Sequence, residues 1–192
     1  MKKVLAISSV LLGVVFLAGC GQQSVSQTQL TTPVQPVVTQ KPATPPVDET
    51  ASWQTYSSEK YGFQIKYPQY YVIQDVKDGV VTIKSPTKAG LYDLNIQVNQ
   101  DPSLNKLALD AIIQSKLKSS SIREQQKTTL AGQSAYEGVS TGMVNEYVLL
   151  TKNGANLYEL LFNTGSKDSL AENKATLDDN QKLMISTFKF TK

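Results

Sequence analysis

The chain has 192 residues, 40% of them hydrophobic and 18% charged, with a formal net charge of +3. It has no histidine and a single cysteine, Cys20. That excludes internal disulfides, Cys/His zinc sites, Ser-His-Asp triads, Cys-His nucleophiles and CxxC redox pairs. The charge is too mild for nucleic-acid binding, which needs a clustered basic surface, and no cofactor is implied.

Lys2 and Lys3 precede an apolar run from Val4 to Phe16, which ends in Leu17-Ala18-Gly19-Cys20. A short positive region, an apolar core and small residues before a cut describe a secretory signal peptide. The run is short for a bilayer span, which takes about 20 apolar residues. Leu17-Ala18-Gly19-Cys20 resembles a bacterial lipobox, so residues 1–19 are expected to be the signal and Cys20 the lipidated residue. The implied chemistry is diacylglyceryl transfer to the Cys20 thiol, cleavage before it, and acylation of the new amino terminus. Two or more acyl chains anchor stably at about 0.8 kcal/mol per buried CH₂. Loss of Lys2 and Lys3 lowers the charge from +3 to +1, so retention would rest on lipid rather than on anionic headgroups. The expected location is extracytoplasmic, on the cell membrane or on the outer membrane of a two-membrane cell.

From residue 20 to residue 50 the composition shifts to Gln, Thr, Ser, Val and Pro, with Pro33, Pro36, Pro42, Pro45 and Pro46 and no aromatic residue. Such a stretch cannot bury enough apolar surface to offset its chain entropy, and it reads as a disordered tether of polyproline character. Its reach is at most roughly 90 Å, at about 3.1 Å per residue. Pro33-Val34-Gln35-Pro36 is a PxxP without a flanking arginine and reads as spacer. All the aromatic residues except Phe16 lie between Trp53 and Phe190. Residues 51–192 therefore form the domain, and about 140 residues suffice for one core.

Within it, Phe63, Ile65 and Tyr67 alternate with polar residues as a half-buried strand does, and Pro68 ends it. Residues 71–76 and 80–84 flank Asp78-Gly79, a two-residue hairpin turn. Tyr92, Leu94, Ile96 and Val98 mark another strand. Asp101-Pro102 opens a helix with an N-cap and a proline at the first position, its expected stripe being Leu104, Leu107, Ala108, Ala111 and Ile112. Residues 122–129 and 133–140 read as polar strands around Ala131-Gly132. Residues 144–151 and 156–162 read as apolar strands joined through Asn153-Gly154. Ser166 is expected to cap a last helix to Met184, with Leu170, Leu177 and Met184 on one face. Strands outnumber helices and hairpins dominate, which gives an α+β domain on an antiparallel sheet.

The opening Trp53-x-x-Tyr56 and Tyr61-Gly62-Phe63-x-Ile65-x-Tyr67-Pro68 resemble the start of PsbP-like domains. The likeness continues through Ala131-Gly132-Gln133-x-Ala135-Tyr136, Asn153-Gly154 into Leu157-Tyr158, and Ser186-Thr187-Phe188-Lys189-Phe190. It covers residues 53–190. Tyr70 or Tyr71 stands where the family often has tryptophan. The resemblance implies an α/β/α sandwich around a central antiparallel sheet and no enzyme activity. Nothing in the sequence carries over a photosynthetic role.

Several chemical readings compete. With Asn153-Gly154 as a two-residue turn, Glu146 faces Leu161 and Glu159 faces Val148. The two carboxylates would then be diagonal neighbours about 7–8 Å apart, a separation suited to glycoside hydrolysis. The alternative is a pair of solvated surface carboxylates. Ser115-x-x-Lys118 matches an SxxK pattern, but so do Ser57-x-x-Lys60 and Ser103-x-x-Lys106, and no KTG follows. Asp178-Asp179 with Glu172, or Asp75 with Asp78, lack the spacing of a calcium loop, and no metal site is assigned. The expectation is a non-catalytic binding or scaffolding module for an envelope component, with an envelope protein as partner and the membrane held through Cys20. Tyr70, Tyr71 and Tyr92 are its candidate surface, since tyrosine suits partly wet interfaces. A hydrolase using Glu146 and Glu159, or a small-ligand carrier between sheet and helix, are the alternatives.

Overall fold

A computed structural model of the chain describes residues 48–76, 78–86, 92–119 and 121–191. The expected signal, Cys20 and nearly all of the tether lie outside the described residues. Among these residues ten strands form two sheets. β1 (Gln54–Ser58), β2 (Phe63–Tyr67) and β10 (Lys189–Phe190) make a small antiparallel sheet in the order β1-β2-β10. The large sheet is wholly antiparallel. It contains β3 (Val72–Val76), β4 (Val80–Lys84), β5 (Leu94–Asn99), β6 (Ile122–Leu130), β7 (Gln133–Ser140), β8 (Glu146–Asn153) and β9 (Asn156–Phe162), in the order β3-β4-β5-β9-β8-β7-β6.

Strand alternation decides what each face of the large sheet carries. One face presents Ile83, Leu94, Ile96, Leu149, Leu160 and Phe162 to the main core. That core is closed by the small sheet and by α2 (Leu170–Thr176) and α3 (Asp179–Thr187), through Phe63, Ile65, Leu170, Leu177, Met184 and Phe188. Phe63 stacks on Phe188 with ring centroids 5.5 Å apart and meets Tyr158 edge-on at 6.1 Å. The other face packs Ile122, Tyr136, Val148, Leu150 and Leu161 against α1 (Leu109–Lys118) through Ile113, Leu109 and Leu117. Helices therefore cover both faces of an antiparallel sheet, the α+β sandwich expected from the sequence.

Three local expectations are corrected. The segment after Asp101 is a 3-10 helix, Pro102–Lys106, followed by α1. Asp101 does cap it, accepting from Ser103 N at 2.8 Å. The break between the helices rotates the buried stripe to Leu109, Ile112, Ile113 and Leu117, leaving Leu107 exposed and Ala111 outside. Lys152 holds the break in place by donating to the Leu104 and Leu107 carbonyls at 2.7 and 2.8 Å.

The last helix is likewise two helices. Ser169 and Asp178 cap them through reciprocal capping boxes with Glu172 and Gln181, a device that satisfies orphan amide donors at each start. Ser166 caps nothing; it has a positive φ of 60° and its hydroxyl accepts Asn145 N at 3.1 Å.

The third correction concerns register. β8 and β9 pair Asn153 with Asn156, so the turn residues are Gly154 and Ala155. Gly154 has φ +57°, and a left-handed glycine at the first central position is the type II′ solution rather than Asn-Gly type I′. Every cross-strand partner is thereby displaced by two residues from the expected pairing.

Candidate binding site

The displaced register separates the two glutamates. Glu159 lies opposite Leu150, four residues along β8 from Glu146, which is roughly 13 Å at about 3.3 Å per residue. Each is also engaged elsewhere. Glu146, 8% exposed, accepts the Tyr92 hydroxyl. Desolvation raises its pKa, against the lowering effect of that hydrogen bond. Glu159 pairs with Lys116 of α1 at 2.6 Å. They are not an acid–base pair across a cleft.

The expected tyrosine patch is not a patch either. Tyr71 is 6% exposed and belongs to the main core. Tyr92 is half-buried, its hydroxyl spent on Glu146. Tyr70 alone is largely exposed, packed edge-on against Tyr71 and accepting Asn180 Nδ2 at 3.0 Å. Of the carboxylates weighed as calcium ligands, three act as caps or in a surface pair: Asp178 accepts Gln181 N, Glu172 accepts Ser169 N, and Asp179 meets Lys182 at 3.5 Å. Among the described residues, no three His, Cys, Asp or Glu side chains converge as a metal site requires.

A concave surface lies instead at the opposite end of the sheet, where the β1–β2 turn, the β3–β4 turn, the end of β5 and the β8–β9 hairpin converge. Its centre is Tyr61. Gly62, at φ +69°, turns the chain into β2, and its amide bonds the Ser58 carbonyl at 2.8 Å. The Tyr61 carbonyl accepts the Tyr158 hydroxyl at 2.6 Å and Asn156 Nδ2 at 3.3 Å. Asn156 Oδ1 in turn accepts Gln100 Nε2 at 3.2 Å. The Tyr61 ring lies over Gly79, where a Cβ would sit 3.4 Å from the ring and 2.5 Å from the Val98 carbonyl oxygen. With φ +88° at Gly79, only glycine lets the turn close there.

Two open cavities flank this tyrosine. The larger, about 420 Å³, is lined by Asp78, Gln97, Asn99, Gln100 and Glu159 together with Lys60 and Tyr61. The smaller, about 210 Å³, lies between Tyr61, Gly62, Asn153, Asn156 and Tyr158. Their walls offer carboxamides, carboxylates, the Lys60 ammonium and a half-buried aromatic ring, groups that hold a polar ligand by hydrogen bonds. By sequence Tyr61-Gly62 reads as structure, and Gln97, Asn99 and Gln100 belong to no motif. Only the fold brings them together.

No protein-family model matches the chain, and no curated protein does. Among solved structures the chain is similar to cyanobacterial PsbP (CyanoP) from Synechocystis, at 19% identity and a TM-score of 0.45, over 73% of this chain and 93% of that one. It is also similar to a Bacteroides thetaiotaomicron protein at 14% identity and a TM-score of 0.46. That match covers 73% of this chain and 49% of the other, so the chain spans about half of that protein's length.

Proposed function

We propose that the chain is a lipid-anchored extracytoplasmic protein whose domain is a non-catalytic binding module, holding another envelope component in the groove around Tyr61. The lipobox-like Leu17-Ala18-Gly19-Cys20 and the Pro-rich stretch after it supply the anchor and the tether. No helix among the described residues is long and apolar enough to cross a membrane, so the anchor reading rests on Cys20. The observation that carries the binding role is the groove itself. Its framework is fixed by backbone-directed bonds to Tyr61 and by the closure at Gly79, while the cavity walled by Gln97, Asn99 and Gln100 opens to solvent. Preorganised walls of that kind bind without first ordering themselves.

The carboxylate hydrolase does not survive the separation of Glu146 from Glu159. The small-ligand carrier would need room between sheet and helix, and Ile113, Val148 and Leu150 fill the α1 layer, as Leu160, Phe162 and Met184 fill the layer under α2 and α3, all at 0% exposure.

The test places a photo-crosslinking amino acid at Gln97, in the groove, and separately at exposed Lys182 on α3, in the full chain in native membranes. A discrete adduct from position 97, absent from 182 and diminished by Tyr61→Ala, is the expected result. No adduct at 97, or the same adducts from both positions, would overturn the assignment.

A further inference from the structure

The cross-strand register lines up Val72, Lys84, Leu94, Phe162, Tyr147 and Val139 near one end of the large sheet, through the pairs Val72–Lys84, Ile83–Leu94, Leu94–Phe162, Phe162–Tyr147 and Tyr147–Val139. The groove lies at the other end, with Asp78-Gly79 and the turn between Asn153 and Asn156. Among the described residues five large hydrophobic side chains are exposed: Tyr70, Val72, Leu107, Met143 and Val144. Four of them sit on the rim opposite the groove. Tyr70 and Val72 occupy its β3 corner. Met143, at 105%, and Val144, at 48%, form the tip of the β7–β8 loop at the other. Leu107, tied to Lys152 near the hairpin end, is the exception.

The same rim is where the chain joins the domain. Gln54 pairs with Tyr67, and its side-chain amide reaches the Gln69 carbonyl at 3.5 Å, next to Tyr70. Thr50, four residues earlier, is held by Lys66 Nζ at 3.1 Å. Only residues 21–49 separate this point from Cys20.

The Met143 loop is fixed in place: Thr141 N bonds the Ser121 carbonyl, Asn145 N bonds Ser166 Oγ at 3.1 Å, and Asn145 Nδ2 bonds Asp168 at 3.1 Å. Beside it Arg123 pairs with Asp168 at 3.4 Å, so that charge is balanced.

We infer that this rim, with Met143-Val144 and Tyr70-Val72 as its two corners, rests on the bilayer surface that carries the anchor. Tyrosine is suited to the boundary between headgroups and acyl chains, and methionine and valine side chains gain by leaving water for it. A tether fixed in the same membrane converts their weak individual partitioning into an intramolecular event. The inference rests on the anchor reading given above.

The test uses the full chain matured in a bacterial host and reconstituted into vesicles of phosphatidylethanolamine and phosphatidylglycerol. Nitroxide labels are attached at Met143→Cys, at Val72→Cys, and at Ala155→Cys in the hairpin turn as an aqueous reference. Collision with oxygen relative to a water-soluble nickel chelate is expected to be several-fold higher at positions 143 and 72 than at 155. Mass spectrometry of the N-terminal peptide reads acylation of Cys20 in the same sample. An acylated, vesicle-bound chain with all three labels equally aqueous, or with position 143 buried against a protein, overturns the rim contact alone. A chain without acyl groups on Cys20 overturns the anchor reading and the rim contact together.

Discussion

Glu137 is 4% exposed on β7, and its carboxylate takes three donors. Lys174 Nζ of α2 lies at 2.8 Å, the Tyr147 hydroxyl at 2.5 Å, and Gln126 Nε2 completes the set. Replacing it by glutamine keeps the shape, removes the charge, and turns an amide NH₂ toward groups that can only donate or prefer to. Breaking a buried pair by removing one partner costs about 3–5 kcal/mol. Lys174 is half exposed and regains water, which places Glu137→Gln at the lower end, about 3 kcal/mol. For a domain of about 140 residues this lowers Tm by roughly 10 °C at pH 7. The acid limb adds a second readout. Desolvation pushes the carboxyl up, but the bonds from Lys174, Tyr147 and Gln126 and the Lys174 charge together bring it below the ordinary 4.5. The stabilisation is thus complete above the unfolded value and is lost as pH falls through the lower folded value. Wild type should lose stability in that window and Glu137→Gln should lose less. Thermal melts of both proteins between pH 3 and 7, with Lys174→Met and the double variant, measure this and the coupling between the pair. A Tm within about 2 °C of wild type at pH 7 and an unchanged acid limb would refute the reasoning.

Glu146 reverses the sign. Its pKa is raised in the fold by desolvation, so the native state binds more protons than the unfolded chain, and stability falls as pH rises from the ordinary 4.5 through the folded value. Glu146→Gln still accepts the Tyr92 hydroxyl and removes that loss; denaturant titrations should show its advantage over wild type growing from acid to neutral pH, and a constant difference would contradict this. Gly79→Ala puts a methyl 2.5 Å from the Val98 carbonyl, a rigid neighbour, at a φ that L residues rarely adopt. A loss of at least about 2 kcal/mol is expected, together with a weaker crosslink from position 97; a wild-type melt would show that the turn has slack.

The legibility of this chain followed the range of the interactions. Phe63, Ile65 and Tyr67 announced β2 by alternation, and Asp78-Gly79 announced its turn because both residues do adopt positive φ, 67° and 88°. Those signals are local. The break after Lys106 has no local signal, because Lys152, forty-five residues from Leu107, supplies the donors that hold it. Asn153-Gly154 marked the right hairpin but not its register, since Asn-Gly and Gly-Ala both make two-residue turns and only cross-strand packing chooses between them. Tyr71 and Tyr70 are neighbours in sequence just before β3, and both hydroxyls meet Asn180 of α3, yet one ring is core and the other largely exposed, a difference that only the tertiary packing decides. The groove was illegible for the same reason, because its walls come from four separate turns and strand ends.

The seam between β5 and β9 has a kinetic consequence. On one side of it β3, β4 and β5 form a meander of consecutive strands, and on the other so do β6 to β9. Each can zip up from its own turns. The seam alone joins residues 94–99 to 156–162, and both of its lips are apolar: Leu94, Ile96 and Val98 meet Phe162, Leu160 and Tyr158. Closing a loop that long is the slow kind of step, and until it occurs each half presents an unpaired hydrophobic edge. The interval before closure of this seam is when aggregation competes most strongly with folding.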